Sequence, residues 1–214
     1  MRIYIIRHGE TTANKLGLFQ GSVDNPLNDS GIFLAQETGK GLKEAGIKFD
    51  VCYCSPYIRA RQTAEELLKY SENDCETIID DRIREINNGD YEGVSIVNPD
   101  PEHKAMVEGW MKDGFSVGRF PNGESGQDVC DRTQEFLNEI AKKDYKSVLV
   151  STHGAALRGM LNFLYEDKNN FWHGMVPVNC SISIVDYEDG KFTLIADDKV
   201  FYDEKYIVDN YKEK

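Results

Sequence analysis

The chain alternates short apolar runs with longer stretches in which apolar residues return every three or four positions. Ile3-Tyr4-Ile5-Ile6 is an uninterrupted run and reads as a buried strand. Phe49 to Cys54, Thr77 to Asp80 and Ser147 to Thr152 are further strand candidates. Between them lie helical patterns. Asp29-Ser30-Gly31 opens a helix to about Ala45, with Ser30 or Asp29 as N-cap and Ala35, Thr38, Leu42 and Ala45 on its packing face. Gly39 and Gly41 weaken that helix and point to close contact with a neighbour. Ser55-Pro56 reads as an N-cap followed by proline at the first helical position of a helix to about Tyr70. Ser125-x-x-Asp128 forms a capping-box pattern ahead of a helix to about Lys142, and Ser125 needs no role beyond it. After Gly154, Ala156, Leu157, Met160, Leu161 and Leu164 mark one more helix. Asn179 to Tyr187 and Phe192 to Ala196 alternate and are joined by Glu188-Asp189-Gly190-Lys191, a hairpin signal. Strands interleaved with helices predict an α/β fold.

Two stretches break the rhythm. Thr12 to Asn28 is a polar loop long enough to imply a task. Residues 94 to 122 have weak periodicity and contain Pro99, Pro101 and Pro121, with one helix expected from about Pro101 to Lys112. Trp110, Phe115 and Phe120 there need cover. The expectation is one domain over 1–214, with 86–122 as a lid-like insertion above the strand ends. A length of 214 residues suits that arrangement.

A formal charge of −12 argues against nucleic acid and anionic membrane surfaces as partners. It also requires any phosphate pocket to be locally basic. No apolar run is long enough to span a membrane, and Arg7-His8-Gly9-Glu10 interrupts the first apolar segment too early for a secretory signal, so a cytoplasmic location is expected. The five cysteines are odd in number and irregularly spaced, and no second pair completes a zinc set with Cys52 and Cys54. Reduced, buried thiols are expected, with both of that pair on one strand face. The charged tail from Lys199 reads as peripheral.

Candidate chemistry sits where strands end. The first run passes directly into Arg7-His8-Gly9, and the Ser147 to Thr152 run into His153-Gly154. In open α/β sheets ligands collect at the carboxyl ends of strands, and a helix N-terminus there favours anions. Gly9 would let the backbone turn close to the ligand. Arg59 falls in the first turn of its helix, where a cation opposes the macrodipole unless an anion relieves it. Glu85, between Ile83 and Ile86, is either a general acid in a partly apolar pocket or a surface partner of Arg82 or Arg84. Asn14, Gln20 and the backbone near Gly21 are either ligand contacts or solvated turn residues. Arg158 is either a surface residue or a support from the next turn. Two guanidiniums, two imidazoles and a carboxyl group suffice for phosphoryl transfer without a metal. One imidazole would attack; the other, if protonated, would stabilise charge. No H-E-x-x-H or G-x-S-x-G pattern occurs.

These motifs resemble the histidine phosphatase superfamily, the phosphoglycerate-mutase-like proteins. The resemblance is carried by Arg7 to Thr11, Asn14, Gln20-Gly21, Leu27 to Gly31, Ser55 to Ala64, Glu85 to Gly93, Gly123-Glu124-Ser125 and Ser151 to Gly154, in order over roughly residues 1 to 187. It implies a three-layer sandwich with a mostly parallel mixed sheet of about six strands and helices on both faces. It implies His8 as phosphorylated nucleophile, Arg7, Arg59 and His153 as the phosphate pocket, Glu85 as proton donor, and Asn14, Gln20 and Gly21 as further substrate contacts. No cofactor and no metal are implied. Mutases of the family carry a basic insertion after the Glu85 region. Here 94–122 offers Lys104, Lys112 and Arg119 against Asp100, Glu102, Glu108 and Asp113. A phosphatase acting on a small phosphorylated substrate is therefore expected, with mutase and non-catalytic phospho-ligand binding as alternatives. Tyr91, Trp110, Phe115 and Phe120 hint at a partly apolar leaving group. A homodimer is compatible with the sequence, which leaves the oligomeric state open.

Overall fold

A computed structural model describes residues 1–174 and 176–208. The first apolar run forms β1 (Arg2–Arg7), the pivot of a six-stranded sheet. The other strands are β2 (Val51–Cys54), β3 (Glu76–Ile79), β4 (Ser147–Thr152), β5 (Ile182–Glu188) and β6 (Lys191–Lys199), in the spatial order β3-β2-β4-β1-β5-β6. β1 pairs in parallel with β4, and β2 in parallel with β3 and β4; β5 runs antiparallel to both β1 and β6. The mixed sheet thus agrees with the expectation.

Side-chain alternation along β1 builds the layers. Ile3 and Ile5 join one core with α5 (Gly126–Ile140) and α6 (Gly154–Leu161), through Phe136, Leu137, Leu157 and Met160. Tyr4 and Ile6 join the opposite core with α2 (Asp29–Glu44) and α3 (Ile58–Tyr70), through Leu34, Leu42, Ala64 and Leu67. Cys52 and Cys54 share that second face, as their spacing predicts, and all five cysteines are free thiols. Burial pushes the Cys54 thiol up to about 12, so it packs as a neutral side chain.

Gly39 admits the backbone of α3: a Cβ there would meet the Leu67 carbonyl oxygen at 2.6 Å. The β5–β6 turn places Asp189 and Gly190 at φ 50° and 80°, the left-handed pair that the twist of a two-residue hairpin favours.

Several boundaries differ from expectation. Thr11 and Asn14 cap each other reciprocally and wind Thr12–Lys15 into a short helix, α1, inside the segment read as loop. The cap of α2 is Asn28, whose Oδ1 accepts from Gly31 N at 2.8 Å, rather than Ser30 or Asp29. α3 begins at Ile58 after Tyr57, beyond Pro56, and its first amide is met by Asp24 Oδ1 at 2.6 Å from the distant loop. α4 (Lys104–Lys112) starts later than Pro101, because 101–103 form a turn. The tail is not wholly peripheral: Tyr202 is buried in the α2–α3 core and donates its hydroxyl to Asn179 O at 2.9 Å. Residues 209–214 of that predicted tail lie outside the described residues.

Candidate active site

Parallel pairing of β1 with β4 aligns Arg7 with Thr152, so the residues that follow each strand emerge side by side. The imidazoles of His8 and His153 consequently meet, with ring centroids 5.1 Å apart. His8 N donates to Thr152 O at 2.9 Å, and Asn179 Nδ2 donates to His8 O at 2.9 Å, which fixes the backbone carrying the ring. His8 Nδ1 lies 2.7 Å from Gly9 O. A carbonyl only accepts, so Nδ1 carries the proton and Nε2 keeps its lone pair. Burial, reinforced by the Arg59 and Arg7 guanidiniums, holds the His8 pKa well below the usual imidazole range. The ring is neutral, with Nε2 unprotonated.

His153 is the N-cap of α6 and wholly buried. Arg59 Nε donates to its Nδ1 at 3.1 Å, so the ring proton sits on Nε2, 2.7 Å from Ser55 Oγ. Burial and the cations of Arg59 and its neighbours hold this imidazole neutral too. The condition set for the second imidazole, that it be protonated, is opposed by this burial and these cations. Ser55, expected as a helix cap, instead faces His153.

Arg59 is fully buried and converges on the site, as expected from its place in α3. Besides His153, it donates from its two terminal nitrogens to Val23 O and Gly21 O, both at 2.7 Å. It thus anchors the 20–23 turn. Tyr57 lies under it, 4.9 Å from guanidinium carbon to ring centroid. Arg7 is buried and donates to Pro177 O.

Glu85 is not a surface partner of Arg82 or Arg84. Arg82 is bound by Asp80, Glu135 and Glu139, and Arg84 by Glu124 and Asp81. Glu85 instead reaches α6: Oε1 accepts from Ala156 N at 3.0 Å and from Ile86 N at 3.0 Å, and Oε2 from Ala155 N at 3.3 Å. The carboxylate so occupies amides at the helix start, a favoured place for negative charge. A Cβ on Gly154 would lie 3.7 Å from Arg7 Nε and 3.8 Å from Glu85 Oε2, so these two groups flank Gly154. Arg132 clamps the Glu85 loop, donating to the carbonyls of Arg82, Arg84 and Glu85, while Glu124 binds Arg132 and Asn87 N.

A half-open cavity of about 50 Å³ lies at the strand ends. Arg7, His8, Asn14, Gln20, Gly21, Glu85, Gly154 and Ala155 form its strand-end side. Arg59 and His153 stand behind His8 rather than in the lining. Asn14 Oδ1 is engaged by Thr11 and by Asn179 Nδ2, and Gln20 Oε1 by the Thr11 hydroxyl, so both side chains are held in place. The other wall is apolar: Leu18, Phe19, Ile86, Ile96, Trp110, Met111, Trp172 and Val176. Trp172 Nε1 donates to Trp110 O at 2.6 Å, locking the two indoles together. Gly9 is needed for a reason other than ligand approach: a Cβ there would lie 2.5 Å from Gly31 O. Arg158, left open as surface or support, is buried and clasps Asp197 and Asp198 on β6.

With paired imidazoles, buried guanidiniums and a carboxylate at parallel strand ends, the site is of the phosphohistidine type. The model of the histidine phosphatase superfamily (branch 1) matches residues 3–197, and the chain belongs to that family. It is 33% identical over 193 residues to "Probable phosphoglycerate mutase GpmB" of Proteus mirabilis, covering 88% of this chain and 86% of that protein. It is 32% identical over 194 residues to "Broad-specificity phosphatase YOR283W" of Saccharomyces cerevisiae, covering 87% and 80%. Its fold matches Bacillus stearothermophilus YhfR with a TM-score of 0.81 at 25% identity, covering 93% and 97%. The chain is an enzyme of the histidine phosphatase type, phosphoglycerate-mutase-like, whose class acts on small phosphorylated substrates.

Proposed function

We propose that the chain hydrolyses phosphomonoesters in two steps through His8. Nε2 attacks phosphorus as the ester P–O bond breaks, and Glu85 passes a proton brought in by the phosphate monoanion to the departing oxygen. Glu85, now a carboxylate, then takes a proton from the water that attacks the phosphohistidine. Phosphate leaves with that proton, and neutral His8 and the Glu85 carboxylate are regenerated. Arg7 in the cavity and Arg59 behind the imidazoles balance the phosphoryl charge, and Asn14, Gln20 and Gly21 border it. His153, neutral and hydrogen-bonded to Arg59 at Nδ1, packs against His8 and holds the attacking ring in place. The observation that carries this reading is His8 itself: neutral, tied at Nδ1, and lining a cavity shared with Arg7 and Glu85.

In this reading residues 94–122 act as a lid on the single domain, since Ile96, Trp110 and Met111 supply cavity wall. Mutase activity requires a grip on the glycerate carboxylate. Among the described lining residues Arg7 is the one cation, and the phosphoryl group needs it. Incubation with 3-phosphoglycerate and 2,3-bisphosphoglycerate tests the choice. Free phosphate is expected to form faster than 2-phosphoglycerate; the reverse order establishes a mutase. Turnover of para-nitrophenyl phosphate that disappears in His8→Ala would set aside the non-catalytic reading. A cytoplasmic location belongs to the same proposal; among the described residues no helix is long and apolar enough to cross a membrane. Sedimentation would decide whether the chain is a homodimer.

A further inference from the structure

The chain that delivers Glu85 runs between two short 3₁₀ turns, Asp81–Ile83 and Gly89–Tyr91, and pairs with no strand. Its carbonyl groups need other partners. One guanidinium takes three of them. Arg132 Nη1 donates to Arg82 O and Arg84 O, both at 2.7 Å, and Nη2 donates to Glu85 O at 3.2 Å. Ile83 O accepts from Thr152 Oγ1 at 2.7 Å, one residue before His153. The other Arg132 donors go to Glu124: Nε to Oε1 at 3.0 Å and Nη2 to Oε2 at 3.1 Å. A guanidinium carries five N–H groups, and here each has an acceptor. Glu124 Oε2 also accepts from Asn87 N at 2.9 Å, so the ion pair grips the chain on both sides of Glu85. The two side chains are 11% and 13% exposed, so water screens the pair little. The Glu85 carboxylate is itself met by the backbone amides of Ile86, Ala155 and Ala156. Its position therefore follows the backbone that Arg132 sets. Neither Arg132 nor Glu124 lines the cavity.

Building on the phosphatase reading above, we propose that Arg132, braced by Glu124, is a positioning residue for the proton transfers of Glu85, acting through the backbone of 82–85 without touching substrate. Proton transfer depends steeply on distance, and a displacement of about 1 Å costs on the order of 10²-fold. A lysine at 132 keeps the charge but loses the planar fork, so it cannot hold the three carbonyls and the carboxylate together. The phosphate end of the cavity, where Arg7 and His8 close β1, does not depend on this clamp.

The test is the split between two esters in Arg132→Met and Arg132→Lys of the full chain. The leaving group of para-nitrophenyl phosphate departs without a proton, whereas that of benzyl phosphate needs one. For benzyl phosphate, kcat/KM is expected to fall about 30-fold or more in both variants. For para-nitrophenyl phosphate, kcat/KM reports phosphorylation of His8 and should stay within about threefold, while kcat falls about tenfold and KM falls with it, because water attack still needs the base. Competitive inhibition by inorganic phosphate should also stay within about threefold. Tens of millimolar guanidinium chloride should restore benzyl phosphate turnover in Arg132→Ala, and the same concentration of sodium chloride should not. Glu124→Gln should shift the ester ratio in the same direction by about fivefold, and it carries the test if the Arg132 variants fail to fold. A benzyl-to-para-nitrophenyl ratio of kcat/KM that stays within about twofold of the unaltered chain's would overturn the proposal, whether both esters keep their rates or both decline together with weaker phosphate inhibition. With the unaltered chain active, that result sinks the role of Arg132 alone. An unaltered chain that hydrolyses neither ester sinks the phosphatase reading, and this role with it.

Discussion

An imidazole works as a nucleophile only while its lone pair stays clear of protons. At His8 two features secure this: the Gly9 carbonyl takes the Nδ1 proton, and burial beside guanidiniums discourages a second one. His153 owes its neutrality to burial and neighbouring cations as well, and its ring is fixed by accepting from Arg59 and facing Ser55. Glu85 is positioned by amides of α6 rather than by a salt bridge. Its two proposed proton transfers can be separated. In Glu85→Gln, para-nitrophenyl phosphate should still phosphorylate His8, because its leaving group departs without a proton. A burst of about one para-nitrophenol per active site should precede turnover slowed about 10²-fold or more. Benzyl phosphate, which needs the acid, should give no burst. Rapid-quench kinetics that show equal slowing of both esters and no burst would remove Glu85 from this role.

At the level of elements, what was legible in the sequence was what depends on neighbours in the chain. β1 and β4 announce themselves as apolar runs cut off by Arg7-His8-Gly9 and His153-Gly154, and their parallel register explains why the two histidines meet. The capping box Ser125–Asp128 and the Asp189-Gly190 turn are likewise local and appear as read. Groups satisfied from far away were not legible. α3 draws its first hydrogen bond from Asp24, which freed Ser55 to face His153. Asn179, 171 residues from His8, holds the His8 carbonyl. Trp172 and Val176 belong to a stretch without periodicity, which the packing of Phe171 and Trp172 on Trp110 and the Trp172–Trp110 bond bring to the cavity. Arg132 sits on an amphipathic helix where a charged residue reads as solvated, yet it clamps the Glu85 loop.

For the molecule as a whole, a site built from buried neutral imidazoles has a cost that depends on pH. Both folded-state histidine pKa values lie below the ordinary value of 6.5. As pH falls through that value, the unfolded chain takes up protons that the folded chain refuses, so stability declines. Each histidine contributes a slope of up to about 1.4 kcal/mol per pH unit below that point, until its own folded value is reached. Urea unfolding at pH 7.5 and 5.5 should therefore show a loss on acidification that shrinks in His8→Asn; an unchanged loss in the variant would contradict the assignment. The sheet that imposes this cost also brings together residues separated by most of the chain, and the central claim is that this convergence makes His8 a phosphoryl acceptor. Rapid acid-free quenching during turnover of para-nitrophenyl phosphate, followed by peptide mass spectrometry, tests it most directly. The account predicts an acid-labile, alkali-stable phosphoryl group on His8 that is missing in His8→Ala. Turnover with no label on His8, or with the label on another residue, would contradict it.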